Sequence, residues 1–117
     1  MENISYVILA INPGSTSTKI AIFENEIPIF MSNIHHSAEE LAIYDGITGQ
    51  HFFRKSIIFR TLNEKGYDIK KLNAVVGRGG LTKPVEGGTY FVDKKMVEDL
   101  KCGCFGEHAS NLGGILA

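Results

Sequence analysis

Two apolar runs flank a short polar stretch near the start of the chain. Residues 4–12 are nearly all apolar, Asn12-Pro-Gly-Ser-Thr-Ser-Thr-Lys19 is polar, and residues 18–24 return to an apolar pattern. Val7, Ile8, Ile11, Ile20, Ile22 and Phe23 favour extended backbone and lack helical spacing, so the pattern predicts two strands, over 4–12 and 18–24, joined by a tight turn. The first, continuously apolar, is expected to be buried on both faces. In the second, Lys19, Ala21 and Phe23 share one face and Thr18, Ile20 and Ile22 the other. Asn25-Glu26 interrupts the apolar run and predicts a second hairpin. A third strand over 27–34 follows, with Pro28 either confining it to a sheet edge or placing the strand start just after it.

The pattern then changes period. Ser37-Ala-Glu-Glu40 fits a capping box that opens a short helix, closed by Asp45-Gly46. Phe53, Ile57, Ile58 and Leu62 recur at helical spacing, which predicts a helix over 50–65 with Gly66 just past its end. Residues 72–76 read as a short buried strand. A helix of that length between strands is the usual crossover, so this strand is expected to run parallel to a neighbour. Met96, Val97 and Leu100 mark a weaker helix over 94–101, and a last one begins at 107–112. The expected architecture is α/β: an antiparallel meander of three strands, a crossover helix and a parallel strand.

Composition narrows the class. The chain has 117 residues, is 44% hydrophobic and 21% charged, and has a net charge of −1. That is enough for one domain with a modest core, and it gives no electrostatic reason to expect nucleic acid or an anionic membrane surface. No apolar run reaches the length of a membrane-spanning helix, and residues 1–4 lack the basic region of a signal peptide, so a cytoplasmic protein is expected. Cys102 and Cys104 are then expected as free, incidental thiols, too closely spaced for a relaxed disulfide. The chain stops at Ile115-Leu116-Ala117 within an apolar helical pattern, and is expected to be a piece of a longer protein.

Chemistry concentrates in three places. In the first turn Asn12, Gly14, Ser15, Ser17 and Lys19 follow an apolar strand. Free amides and hydroxyls there suit phosphate oxygens, with Lys19 as a point charge; the plainer alternative is a structural turn. The stretch is not a Walker A loop, whose Gly and Lys spacing is absent and which a helix would follow. Arg78 is either a surface arginine or a guanidinium fork for a carboxylate or phosphoryl group, at a strand end where α/β ligands gather, with Gly77 and Gly79-Gly80 leaving the backbone bare so that a ligand can approach closely. His108, near a helix start, is either a general acid or phosphoryl donor or an ordinary helix residue. His35 and His36 read as solvated loop residues. Asp45, Asp68, Asp93 and Asp99 all fall in turn or helix contexts that suit no catalytic base.

Four motifs in register carry a resemblance. Ile11-Asn-Pro-Gly-Ser-Thr-Ser-Thr-Lys19, Val76-Gly-Arg-Gly-Gly-Leu81, Pro84-Val-Glu-Gly-Gly-Thr-Tyr90 and Gly106-Glu-His-Ala-Ser-Asn-Leu-Gly113 resemble the acetokinase family. Pro13, where acetate kinases tend to have Cys, points to its butyrate branch. The resemblance implies a ribonuclease H-like fold shared with hexokinase, actin and Hsp70. It implies ATP-dependent phosphorylation of butanoate to butanoyl phosphate, reversible, with Mg²⁺, in a homo-oligomeric parent enzyme. Carried over by motif, Asn12 would help hold Mg²⁺. Gly14, Ser15, Ser17 and Lys19 would bind the nucleotide phosphates, Arg78 the substrate, and His108 would lie near the acyl site. Another acyl kinase, or a non-catalytic nucleotide-binding piece, shares these motifs. Family members are longer, with two domains. The resemblance therefore implies that residues 1–117 are the N-terminal part of the first domain, with the adenosine pocket, catalytic Asp, a second Arg and a metal-site Glu beyond Ala117, and that this piece alone is inactive.

Overall fold

The computed structural model describes residues 4–79, 87–106 and 108–117. Gly80, residues 81–86 of the glycine-rich loop and Glu107 lie outside the described residues, and with them parts of three of the motifs above. Four strands form one mixed sheet in the order β3-β2-β1-β4: β1 (Val7–Pro13), β2 (Ser17–Glu24), β3 (Ile27–His35) and β4 (Ala74–Gly77). The first three are an antiparallel meander, and β4 runs parallel to β1. Helix α2 (His51–Glu64) makes the crossover between β3 and β4, after the short α1 (Ala38–Ala42). Helices α3 (Lys94–Cys102) and α4 (Asn111–Leu116) follow the sheet. The predicted α/β meander with a parallel fourth strand is what the chain forms, and it is consistent with the ribonuclease H-like first domain.

Local chemistry explains the elements. Asn25 takes a left-handed backbone (φ 56°) that lets the β2–β3 chain reverse within two residues. Pro28 sits on β3, an outer strand, where its missing N–H costs no ladder bond. Ser37 and Glu40 form both bonds of the capping box, at 3.0 Å each. Asp93 caps α3 by accepting from the Met96 N–H at 2.8 Å, and Gly103 ends it in the left-handed region.

Register divides the sheet into two unlike faces. Leu9 pairs with Ile22, Ile11 with Ile20 and Pro13 with Thr18, all buried on one face. Ile58 and Leu62 of α2 pack onto that face, with Phe30, Ile34, Tyr67, Leu72 and Leu116 at the margin. Each such aliphatic side chain removed from water stabilises the fold by roughly 1.5–3 kcal/mol. The alternate pairs, Ile8 with Phe23, Ala10 with Ala21 and Asn12 with Lys19, lie on the other face.

Two burial expectations for the strands fail. β1 alternates between buried and half-buried positions rather than being buried throughout, and β4 is exposed at Ala74, Val75 and Val76. Nothing among the described residues pairs with the outer edge of β4. The cysteines also differ from expectation. Cys102 and Cys104 are joined as a disulfide, because the left-handed turn at Gly103 brings their Cα atoms to 5.3 Å, within ordinary disulfide span.

Candidate functional site

The turn between β1 and β2 is built from both sides. Its backbone closes on itself, with the Gly14 N–H donating to the Ser17 carbonyl at 2.7 Å. The Gly14 amide, expected to be free for a ligand, is thus occupied. Ser15 and Thr16 stand exposed at the tip, where neither amide enters a backbone hydrogen bond. A Cβ at Gly14 would sit 2.9 Å from the Ser17 hydroxyl, which would have to rotate away. Asn12 and Lys19 face each other directly across the two strands, Asn12 half-buried and Lys19 exposed, on the sheet face away from α2.

Behind the turn lies a residue that the sequence pattern did not single out. Arg54 of α2 has no solvent exposure, and its guanidinium is wholly spent on the turn and its own helix. Nη1 donates to the carbonyls of Gly14 and Ser17, both at 2.8 Å, and to Thr18 Oγ1 at 3.3 Å. Nη2 donates to the Ser15 carbonyl at 3.3 Å and to Gln50 Oε1 at 2.7 Å, while Nε donates to the same Gln50 oxygen at 3.1 Å. No carboxylate pairs with it, the ion pair found among the described residues being Lys95–Asp99. Burial lowers its pKa, but guanidinium keeps its proton under any ordinary condition. The signal was present in the sequence. Arg54 stands three and four residues before Ile57 and Ile58, so it falls on the stripe that α2 buries.

His36 completes this inner layer. It is buried rather than solvated, with Nε2 2.8 Å from Thr18 Oγ1, and its ring meets Phe53 edge-on at 5.2 Å. With the imidazole proton on Nδ1 the Thr18 O–H donates to Nε2, and with it on Nε2 the ring donates to Thr18 Oγ1, which also lies 3.3 Å from Arg54 Nη1. Burial, then the Arg54 charge, lowers the His36 pKa; Glu40 opposes and His35 adds to the lowering.

The Arg78 loop arrives beside the turn. β1 and β4 run parallel, so their carboxyl ends lie together, and the Arg78 N–H donates to the Ile11 carbonyl at 2.9 Å. That fixes the Arg78 backbone one residue from Asn12, with its side chain exposed. Gly77 was read as leaving room for a ligand; the structure gives that room to α4. A Cβ on Gly77 would overlap the carbonyl of Gly113. Gly79 is left-handed (φ 62°), with the Ser110 side chain nearby. His108 is exposed at the approach to α4, where its Nδ1 accepts from the Ser110 N–H at 3.0 Å and contacts the Ser110 hydroxyl at 2.9 Å. Asn111, fully buried, donates to the carbonyls of Leu100 at 3.4 Å and Gly106 at 3.0 Å and so fixes α4 against α3.

The arrangement thus gathers Asn12, Ser15, Ser17, Lys19 and Arg78 around the ends of two parallel strands, and docks the segment bearing His108 against the Arg78 loop. Asp68 and Asp93 are spent capping helical turns. The described residues contain no grouping of three or more His, Cys, Asp or Glu able to hold a metal, and no helix long and apolar enough to cross a membrane.

Known proteins are similar to this sequence. A probable butyrate kinase of Clostridium botulinum (strain Eklund 17B / Type B) is 57% identical over 113 residues, which is 97% of this chain and 32% of that protein. Butyrate kinase 2 of Clostridium acetobutylicum is 56% identical over 112 residues, again 32% of its length. Butyrate kinase 1 of the same organism matches at 56% over 112 residues. The chain therefore spans about a third of the length of the curated relatives it matches, 32% in each case. No protein-family model matches it.

Proposed function

We propose that this chain, a homologue of the butyrate kinases, supplies the phosphate-binding wall of an acyl kinase. The reaction is transfer of the terminal phosphoryl group of ATP to butanoate, giving butanoyl phosphate and ADP, and its reverse. The carrying observation is the meeting of the Asn12–Lys19 turn with the Arg78 loop at the carboxyl ends of adjacent parallel strands, where α/β folds bind ligands.

Each residue has a chemical task in this reading. The exposed Ser15 and Thr16 amides and the Ser15 and Ser17 hydroxyls donate to phosphate oxygens, around the turn that the Gly14–Ser17 bond closes. Lys19 supplies a flexible positive charge on the same side as Asn12. Arg78 offers a planar fork to the butanoate carboxylate or to the phosphoryl group in transit. His108, whose Nδ1 is occupied by Ser110, has Nε2 left to donate toward the acyl end. Such groups stabilise the charge that spreads over the transferring phosphoryl oxygens.

The residues present fit Mg²⁺ in one respect. Asn12 provides a single hard, neutral oxygen, and Mg²⁺ is commonly held by a few protein oxygens together with substrate phosphates. Asn12 would thus hold an ion that arrives with the nucleotide, and when bound that ion neutralises phosphate charge. In this reading small molecules, butanoate and ATP, are the partners, and the parent enzyme is cytoplasmic and homo-oligomeric. The 117 residues alone are expected not to turn over.

A chimera tests the reading. Residues 1–117 replace the matching third of the Clostridium botulinum relative, and acyl phosphate is trapped with hydroxylamine in the presence of ATP, Mg²⁺ and a panel of short carboxylates. Acyl phosphate formed fastest from butanoate by the chimera, and none by the 117-residue chain, is the expected result. An inactive but folded chimera overturns the acyl-kinase reading, and a preference for acetate or a branched acid overturns the choice of substrate.

A further inference from the structure

We propose that Arg54 is the positioning residue of the phosphate turn: its buried guanidinium draws the carbonyls of Gly14, Ser15 and Ser17 inward, fixes the exposed tip for an anion, and takes that anion as its counter-charge. The inference rests on the reading above that the turn binds phosphate.

Three observations carry it. The guanidinium has five N–H groups, and the bonds to Gly14, Ser15, Ser17 and Gln50 use all of them. Carbonyls that point toward Arg54 leave the tip of the turn to amides and hydroxyls, which are the groups an anion needs. Second, the charge is buried with no carboxylate against it among the described residues. A buried, unpaired cation is unfavourable, and elsewhere proteins meet the cost with an acidic partner. Here the partner positions are neutral carbonyl, hydroxyl and amide oxygens, so the positive potential emerges through the turn. Third, the α2 stripe on which Arg54 stands is otherwise apolar, with Ile57, Ile58 and Leu62 buried. Packing alone would be met by a leucine or methionine at that site.

Arg54 and Lys19 then divide the work. Lys19, exposed on the opposite face, reaches a ligand directly, whereas Arg54 touches no ligand and acts through the backbone it holds. Gln50 is the second support. Its Oε1 receives two of the five bonds and sets the plane of the guanidinium.

The test follows the amides of the ¹⁵N-labelled 117-residue chain during titration with inorganic pyrophosphate. Variants R54K, R54Q and Q50A are compared. In the unmodified chain pyrophosphate is expected to shift Ser15, Thr16 and Ser17. R54K, which keeps the charge but not the fork, is expected to bind about tenfold more weakly, and R54Q to lose the response while the amides of β2 and β3 keep their positions. Q50A, which leaves the guanidinium in place but free to turn, is expected to weaken binding several-fold and covers the case in which R54Q fails to fold. His36 gives a second readout, because replacing the Arg54 charge with a neutral amide should raise its pKa, whereas R54K should not. Undiminished pyrophosphate binding in folded R54Q, or in Q50A and R54K if R54Q does not fold, overturns the role of Arg54 and leaves the turn as a phosphate site. No response of the tip amides in the unmodified chain overturns both.

Discussion

Gly77 and Gly113 meet backbone to backbone. A Cβ on Gly77 would overlap the Gly113 carbonyl, and one on Gly113 would fall 2.5 Å from the carbonyl of Arg78. Neither neighbour is a flexible side chain that might give way. The contact sets the Arg78 loop at a fixed height above β1, since α4 packs against both β4 and β1.

Alanine at either glycine should therefore separate α4 from the sheet. G77A and G113A are each expected to cost about 3 kcal/mol, at the upper end of ordinary overpacking. Urea unfolding of each variant measures this. G87A serves as the control, because none of the described residues lies within 4 Å of a Cβ added there. Equal midpoints for G77A and the control would contradict the close approach.

Asn111 makes a second prediction at the same helix. Its side-chain amide is buried and ties the Leu100 and Gly106 carbonyls to the start of α4. N111A removes those donors and leaves buried oxygens unpaired, a loss of about 2 kcal/mol. N111L, which fills the volume without the donors, should not restore stability. Thermal unfolding of the two variants distinguishes lost hydrogen bonds from lost packing.

Lys19 should behave in the opposite way. It is exposed and lies in no ion pair among the described residues, so K19M is expected to change stability by less than about 0.5 kcal/mol. In the chimera with the Clostridium botulinum relative, the same substitution should weaken ATP use about tenfold, seen as a raised KM for ATP. A stability loss matching that of G77A would assign Lys19 to the fold instead.

The sheet was legible in the sequence because its signals are local. Asn25 and Pro28 act within a few residues, and the α2 stripe repeats along one helix. Burial was less legible, because it depends on what covers a strand. The apolar run of β1 and the valines of β4 look alike in sequence, yet β4 ends as an exposed edge. Of the proposed site, the outer layer was visible as a motif, and the backbone brings the turn after β1 and the residue after β4 side by side. The inner layer was not. Arg54 and His36 lie 36 and 18 residues from Thr18, and only folding brings the three together. Gly77 was misread for the same reason, since its partner Gly113 is far away in sequence.

His36 gives the fold a pH dependence whose sign is fixed by its surroundings. Burial and the Arg54 charge lower its pKa below the ordinary 6.5, against the opposing pull of Glu40. The unfolded chain thus binds a proton at a pH where the folded chain does not. Stability from this residue is complete above pH 6.5 and declines as pH falls below it toward the lowered value. His51, lowered by burial and by Lys101 and Lys55, acts in the same direction. Glu40, lowered chiefly by its bonds to Ser37, contributes stability that is complete above its ordinary 4.5 and lost only below it, so it adds no slope in this range. Urea midpoints should therefore fall between pH 7.5 and pH 5.5. H36Q retains an acceptor for Thr18 without a titrating ring, so its midpoint should fall less, with the remaining slope due to His51. A slope in H36Q as steep as in the unmodified chain would mean that His36 is not held neutral between Thr18 and Arg54.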